Sequence, residues 1–455
     1  MLKLSGKRIL VVGLAKSGAA IARFLKKQGA LVTVTDKAER HEIGVLAQEM
    51  EDLGIKTELG IHIPETFINS DLIILSPGVP HTLPQIKKAQ DYCVPVMGEI
   101  ELASLFIREP IIAVTGTNGK TTTTTLISLM LEQSGFSVFT GGNIGNPLTE
   151  YVDANAPCDR VVVELSSFQL DTIIHFKPNV AVLLNITEDH LDRYSSFDAY
   201  ARSKGRIFEN QGNKDIAIIN GDDPSSMAIG NVLQNKKYIF GTNGSGCSAL
   251  ISRKNISITI PGKDTMVLDL SKTRLIGSHN RENIAAAALA ALAAGGKIEN
   301  IQSVVDTFTG LHHRIQYIDS INGVDFYDDS KATNMDAVAR ALDAFDSPLV
   351  LILGGRNKGG NYLSLKDRIL KSATSILAIG ESAKEIKHTL GPFIKVTEVA
   401  SLEEAVVKAY GEAQAGQNVL LSPACSSFDM FKNYEHRGQV FADAVTRLKK
   451  EKTIG

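Results

Sequence analysis

Ile111-Ile-Ala-Val-Thr-Gly-Thr-Asn-Gly-Lys-Thr-Thr122 decides the middle of the fold: an apolar run enters a glycine-bearing turn, followed by a lysine and two hydroxyls. Beyond it Leu126, Ile127, Leu129, Met130 and Leu131 recur at helical spacing, which predicts a helix over 122–134. A strand, turn and helix of this kind leave the backbone N–H groups of the turn and of the helix's first turn unpartnered and aimed at one point. That geometry suits a phosphate chain. Gly116, Thr117, Asn118 and Gly119 form the expected cradle, with Thr122 closing it; Lys120 adds a mobile positive charge and Thr121 a hydroxyl for the magnesium of a nucleoside triphosphate. Val114 stands where the strict G-x-x-x-x-G-K-[ST] pattern has its first glycine, so the assignment rests on the flanking strand and helix rather than on the pattern.

The chain has 455 residues, too many for one core, and at roughly 100–200 residues per domain it predicts about three. With 44% hydrophobic and 22% charged residues it reads as globular. Its 48 basic and 50 acidic residues nearly cancel, so neither nucleic acid nor an anionic membrane is expected as a partner. Cys93, Cys158, Cys247 and Cys425 have neither C-x-x-C spacing nor a disulfide framework and are expected to be reduced packing residues. No signal-peptide pattern opens the sequence and no apolar run approaches the roughly 20 residues of a membrane span, so a cytoplasmic protein is expected.

Residues 8–36 read strand, turn, helix, strand. Ala15 replaces the middle glycine of a dinucleotide fingerprint. A phosphate or sugar ligand is nonetheless expected at the helix start, Ala15, Lys16 and Ser17, with Asp36 at the second strand's end; a purely structural turn is the alternative. The strand from Asp71 to Leu75 ends in Ser76 and a further glycine turn. In the middle of the chain the strand 160–164 ends in Glu164, a candidate magnesium carboxylate or a helix cap, and 179–185 leads to His190, a metal ligand, substrate contact or surface residue. The helix 197–208 carries Arg202, Lys204 and Arg206, which sequence alone reads as a solvated basic face. After 311 a third set of strands and helices places three polar loops, 328–334, 354–358 and 422–428, at strand ends, where an anion or carboxylate would bind. The fold class is α/β in three domains: a Rossmann-like domain 1–98, a central P-loop ATPase-type mixed sheet 99–310, and a Rossmann-like domain 311–455.

Taken together, Val114 to Thr122, Asn185-Ile-Thr-Glu-Asp-His-Leu-Asp192, His279-Asn-Arg-Glu-Asn283, His312-His-Arg314 and Asp329-Ser-Lys-Ala-Thr-Asn334 resemble the Mur ligases, ATP-dependent amide ligases of peptidoglycan synthesis, in order along the whole chain. Gly141 to Gly145, Glu164 to Leu170 and Ser422 to Gly438 resemble the members that join D-glutamate to UDP-N-acetylmuramoyl-L-alanine. The resemblance implies ATP, two magnesium sites and a monomer. It implies catalytic roles for Lys120, His190, Lys204 and Lys331, with Lys204 carbamylated, and metal contacts from Thr121, Glu164, His190 and Lys204. It puts Asn280, Asn283, Arg314 and Asp329 with the loop 116–122 at the nucleotide. The UDP substrate falls to Ala15, Lys16, Ser17, Asp36, Ser76, Asn143, Gln169 and His190, and D-glutamate to Thr333, Lys358, Ser427, Phe428 and Tyr434. A sister ligase for another amino acid, a switch ATPase and a nicotinamide-dependent oxidoreductase are the rival readings; residues 422–438 argue against the first, the carboxylate rim against the second, and Ala15 against the third.

Overall fold

The computed structural model describes residues 2–188, 193–244, 246–262, 264–357 and 359–454. Among the described residues there are three sheets. The N-terminal sheet is wholly parallel, in the order Lys56–Leu59, Leu31–Asp36, Arg8–Val12, Leu72–Leu75, Val96–Gly98. Its direction of winding reverses at Arg8–Val12, and ligands of such sheets bind at the carboxyl ends beside that reversal. There lie the turn after Val12, Asp36 and Ser76.

The central sheet runs Met266–Asp269, Asn255–Ile258, Ala249–Ile251, Lys236–Gly241, Ile216–Asn220, Val180–Leu183, Ile111–Thr115, Arg160–Glu164, Val138–Gly142. It is parallel except where Asn255–Ile258 pairs antiparallel with both neighbours. Ile111–Thr115 is buried at every position, as a strand covered on both faces by crossover helices must be, which explains its unbroken apolar run. The Ser278–Ala293 helix is buried continuously from Asn283 to Leu292, and its alanines leave room for backbone to approach closely. The third sheet has the order Gln316–Ile321, Val324–Asp328, Asn418–Leu421, Leu349–Gly354, Ala373–Ile379, Val396–Glu398, with only the first pair antiparallel.

The chain forms two compact units, 1–270 with 282–304, and 271–281 with 305–455. Inside the first, the N-terminal and central sheets are tied through buried carboxylates. Glu99 accepts from Thr149 N at 2.7 Å and Thr149 Oγ1 at 3.0 Å, while Glu101 accepts from the backbone N–H of Ile174, His175 and Phe176 at 2.8–2.9 Å. Phe24 meets Phe106 edge-on at 5.1 Å.

Several boundaries differ from expectation. The helix after the phosphate-loop candidate begins at Lys120 rather than Thr122, because the turn needs only Gly116 and Gly119 in left-handed or extended-positive backbone before helical dihedrals start. The helix from Phe197 stops at Gly205 and continues as a 3₁₀ turn, Arg206–Phe208. The four cysteines are unpaired, but Cys93 is exposed, on a left-handed turn after Pro84–Asp91, and is not a packing residue. No helix among the described residues is long and apolar enough to cross a membrane.

Candidate active site

Gly116 (φ +155°) and Gly119 (φ +82°) give the 116–119 turn its shape. A Cβ on Gly119 would sit 2.2 Å from Asn283 Oδ1, so the turn is pressed against the alanine-rich helix and accepts only glycine. The loop is fastened from the neighbouring strand end: Thr117 N donates to Asn185 O (2.9 Å), Asn118 N to Asn185 Oδ1 (2.9 Å) and Thr187 N to Thr117 Oγ1 (3.1 Å). Lys120 Nζ donates to the carbonyls of Gly116 (2.9 Å) and Thr117 (2.8 Å), and Thr121 and Thr122 fall in the first helical turn. A helix N-terminus, a lysine and a hydroxyl thus share one strand end, an arrangement that suits a triphosphate; of the turn's N–H groups, those of Thr117 and Asn118 are taken up by Asn185 rather than left unpartnered as expected.

Glu164 ends the adjacent strand and is buried. Its Oε1 accepts from Asn143 Nδ2 at 2.7 Å, whereas Oε2 is buried without a hydrogen-bond partner. A lone buried carboxylate oxygen beside a phosphate loop fits Mg²⁺, which binds through one or two carboxylates and completes its shell with substrate phosphates and water. Gln169 Oε1 caps Ser166 N (2.9 Å) in a capping box, and its Nε2 is likewise buried and unpartnered. The solvated-face reading fails for Lys204. It is 2% exposed, donates to Gly116 O at 2.8 Å and lies 4.6 Å from the Tyr200 ring, while Arg202 alone of the three cations is exposed and Arg206 pairs with Glu209. Helical position put Lys204 and Tyr200 on one face, and Tyr200 Oη reaches Thr117 Oγ1 at 3.2 Å; that i, i+4 pairing was the signal available in the sequence.

In the N-terminal sheet Ala15 is the N-cap of Lys16–Lys27 and no side chain caps that helix, so its first N–H groups, with Ser17, remain available to an anion. Gly18 is compulsory here, since a Cβ would lie 1.8 Å from Gly13 O. Asp36 folds back on the loop, accepting from Leu14 N at 2.5 Å and Ala38 N at 2.8 Å, and so shapes the site as well as facing it. Lys16 reaches across to Gly145 O and Asn146 Oδ1, both at 2.9 Å, joining this rim to the loop that bears Asn143. Ser76, Phe168 and Gln169 line one small pocket. Next to it a cavity of about 610 Å³ is bordered by His81, Phe168, Arg193 and Tyr194, with the Arg193 guanidinium 4.5 Å over Phe168; these residues were not anticipated.

The three polar loops of the second unit do meet. Gly354 N donates to Pro423 O (2.9 Å), Arg356 and Ser426 exchange backbone hydrogen bonds (3.0 and 3.1 Å), and Ser422 Oγ donates to Asp329 Oδ2 (2.8 Å). Burial pushes the Asp329 carboxyl up to about 7, against the hydrogen bonds from Ser422 and Ile315. Lys331 Nζ stands 5.2 Å from the Tyr434 ring; desolvation, then the like charge of Arg314, lowers its ammonium. Thr333 is half-buried, Ser427 buried, and Phe428 is 64% exposed at the rim. Arg437, fully buried, was not anticipated: Nε donates to Ser330 Oγ (2.9 Å) and Nη2 to the carbonyls of Ser330 (2.8 Å) and Cys425 (3.1 Å), lacing two loops together. Asn280, which donates to Ile276 O at 2.7 Å, falls in the second unit and Asn283 in the first. His190 and Lys358 lie outside the described residues.

A glycine-bearing loop with a lysine at a strand end, a buried carboxylate oxygen without a partner beside it and a separate rim of polar loops are what an enzyme that activates an acid with a nucleotide requires. Three family models match: the Mur ligase MurD-like N-terminal domain over residues 7–98, the Mur ligase middle domain over 114–291, and the Mur ligase glutamate ligase domain over 313–425. The chain belongs to the Mur ligase family. Curated relatives named UDP-N-acetylmuramoylalanine--D-glutamate ligase include that of Desulfosudis oleivorans, 49% identical with 97% of each chain covered, and that of Desulfatibacillum aliphaticivorans, 47% identical with 98% of this chain and 99% of the relative covered. In fold it is similar to UDP-N-acetylmuramate-alanine ligase MurC from Thermotoga maritima (TM-score 0.56, 20% identity, 97% of this chain and 100% of that one).

Proposed function

We propose that this protein is an ATP-dependent ligase that adds D-glutamate to UDP-N-acetylmuramoyl-L-alanine in peptidoglycan precursor synthesis. The observation that carries the reading is likeness at 44–49% identity over nearly the full length to proteins bearing that name. Residues 1–98 take the UDP substrate through Ala15, Lys16, Ser17, Asp36 and Ser76, with Asn143, Gln169 and His190 at its acyl end. Residues 99–310 hold ATP at 116–122 and Asn283, and residues 311–455 bind D-glutamate through Thr333, Lys358, Ser427, Phe428 and Tyr434. Asn280, Arg314 and Asp329 are assigned to the nucleotide. The reading makes the protein cytoplasmic, where ATP and the nucleotide sugar are found, and takes it as a monomer.

A carboxylate is a poor electrophile, so the reaction needs activation. The terminal alanine carboxylate attacks the γ-phosphorus of ATP, ADP leaves, and the resulting acyl phosphate is attacked by the D-glutamate amine; the tetrahedral intermediate expels phosphate and leaves an amide. The loop amides and Lys120 orient the triphosphate, and Lys331 offsets charge on the transferred group. Thr121 and Glu164 would hold a magnesium ion, and His190 with a carbamylated Lys204 a second; bound magnesium would neutralise phosphoryl charge and polarise the acceptor oxygen. The contact with the Gly116 carbonyl is compatible with the carbamate, because a carbamylated Nζ keeps one N–H to donate there and the magnesium would balance its charge. The test is product formation from ATP, UDP-N-acetylmuramoyl-L-alanine and labelled D-glutamate: incorporation that needs all three supports the reading, and incorporation of L-alanine in place of D-glutamate contradicts it.

A further inference from the structure

Arg314 occupies an unusual corner. His313 (φ +61°) and Ile315 (φ +44°), the residues on either side of it, both have left-handed backbone, which a β-branched residue such as Ile315 rarely adopts. Strain of this sort persists only where the surroundings over-determine it, and it gathers at working sites. Here the surroundings are the end of the Val324–Asp328 strand. Arg314 N donates to Leu311 O (3.1 Å), closing the corner; Lys331 N donates to His313 O (3.0 Å) and Ile315 N to Asp329 Oδ1 (3.3 Å). The strongest tie is a buried pair, His313 Nδ1 donating to Asp328 Oδ2 at 2.6 Å, with side chains 14% and 1% exposed. The second oxygen of Asp328 accepts from Ser330 N at 2.8 Å, so one carboxylate fixes the corner and the loop leading to Lys331. The long helix Tyr434–Ile454 passes directly over this pair: a Cβ on Gly438 would stand 2.0 Å from His313 Nδ1 and 2.5 Å from Asp328 Oδ2.

We propose that Asp328 is a positioning residue: by holding His313 it keeps the corner 312–315 in its left-handed form, and thereby sets Arg314 and Lys331 for the triphosphate. Gly438 is the glycine that makes room for the tie. The inference rests on the ligase reading for the roles of Arg314 and Lys331, while the tie itself is independent of it.

The experiment uses the full chain with D328L, D328N, H313L and G438A, reading the dissociation constant of a non-hydrolysable ATP analogue by calorimetry and the KM of each substrate. D328N keeps its oxygen for Ser330 N and can donate its amide N–H to His313 Nδ1 in the other imidazole tautomer, so the tie survives and nucleotide is expected to bind within about threefold of wild type. D328L and H313L, which cannot make the bond, lose about tenfold or more, and G438A loses as much with both partners intact. The KM for the UDP substrate stays within about twofold throughout, which a general weakening of the fold would not allow. Folded D328L or H313L with wild-type nucleotide affinity overturns the proposal, as does an equal rise in every KM. Should D328L fail to fold, H313L and D328N decide it. A wild type that forms no product with D-glutamate tells against the ligase reading alone, since the analogue's affinity still reports on the corner.

Discussion

Asn143 Nδ2 donates to one oxygen of Glu164 at 2.7 Å, and the other oxygen of that carboxylate is buried with nothing to accept from. The amide thus aims the carboxylate and leaves its free lone pairs for a cation. E164Q, nearly the same in shape, is expected to lower kcat by about 10²–10³-fold and to raise the magnesium concentration needed for half-maximal rate. A magnesium titration of the two proteins checks this; an unchanged midpoint would make Glu164 a structural cap.

Gly119 lies at φ +82° with Asn283 Oδ1 where a Cβ would go. G119A should therefore cost about 1–3 kcal/mol of local strain and displace the loop, weakening ATP by tenfold or more. Nucleotide titration reads the effect. Shortening the neighbour in the pair N283A/G119A should relieve part of the clash while leaving the dihedral penalty.

Glu99 is buried, and burial raises its carboxyl from 4.5 to about 7. An acid whose folded value is raised stabilises the fold as its protonated form: the contribution is complete below about 4.5 and is lost as pH climbs through about 7. Thermal midpoints of the wild type should fall from pH 5 to pH 8 more than those of E99Q, by the equivalent of about 1–3 kcal/mol. Parallel slopes for the two proteins would show that Glu99 stays ionised.

Lys204 is the test of the second metal site. K204A should abolish turnover, and short-chain carboxylic acids, occupying the space left near Gly116 O, should restore part of it if the working group is a carbamate. Rates measured with and without acetate or propionate decide this; no recovery would leave the ammonium as the working form.

Arg437 is a fully buried cation, and burial lowers it to about 10. R437M removes the three hydrogen bonds by which Arg437 holds the loops 328–334 and 422–428 and should destabilise the second unit by about 2–4 kcal/mol, visible in denaturant unfolding. R437K, with one point charge for a planar fork, should recover only part.

What could be read from sequence was what local chemistry dictates. The run Ile111 to Val114 and the glycines after it specify a buried strand and a tight turn whatever surrounds them, and the polar strand ends mark a rim. Other residues act through distant partners. Glu99 and Glu101 open a helix with nothing local to mark them as buried, and they lie buried because backbone N–H groups some 50 and 73 residues away need acceptors. The edge strand Gln316–Ile321 shows no alternation, with Tyr317 and Ile318 adjacent, since all its residues but Ile321 are only half-buried and neither face is fully covered. Lys204 sits on a helix whose basic residues suggest a wet face, and the loop that buries it is 88 residues earlier in the chain. The tie between His313 and Asp328 has no sequence pattern at all, because left-handed backbone at a non-glycine residue is imposed by tertiary contacts.

The central claim is that the cradle at 116–121 turns a substrate carboxylate into an acyl phosphate. The most direct measurement is to place ¹⁸O in the terminal carboxylate of UDP-N-acetylmuramoyl-L-alanine and follow it by mass spectrometry during turnover with ATP and D-glutamate. One labelled oxygen should pass to inorganic phosphate for each amide formed. Unlabelled phosphate released alongside the amide, or released at the same rate without D-glutamate, would contradict the account.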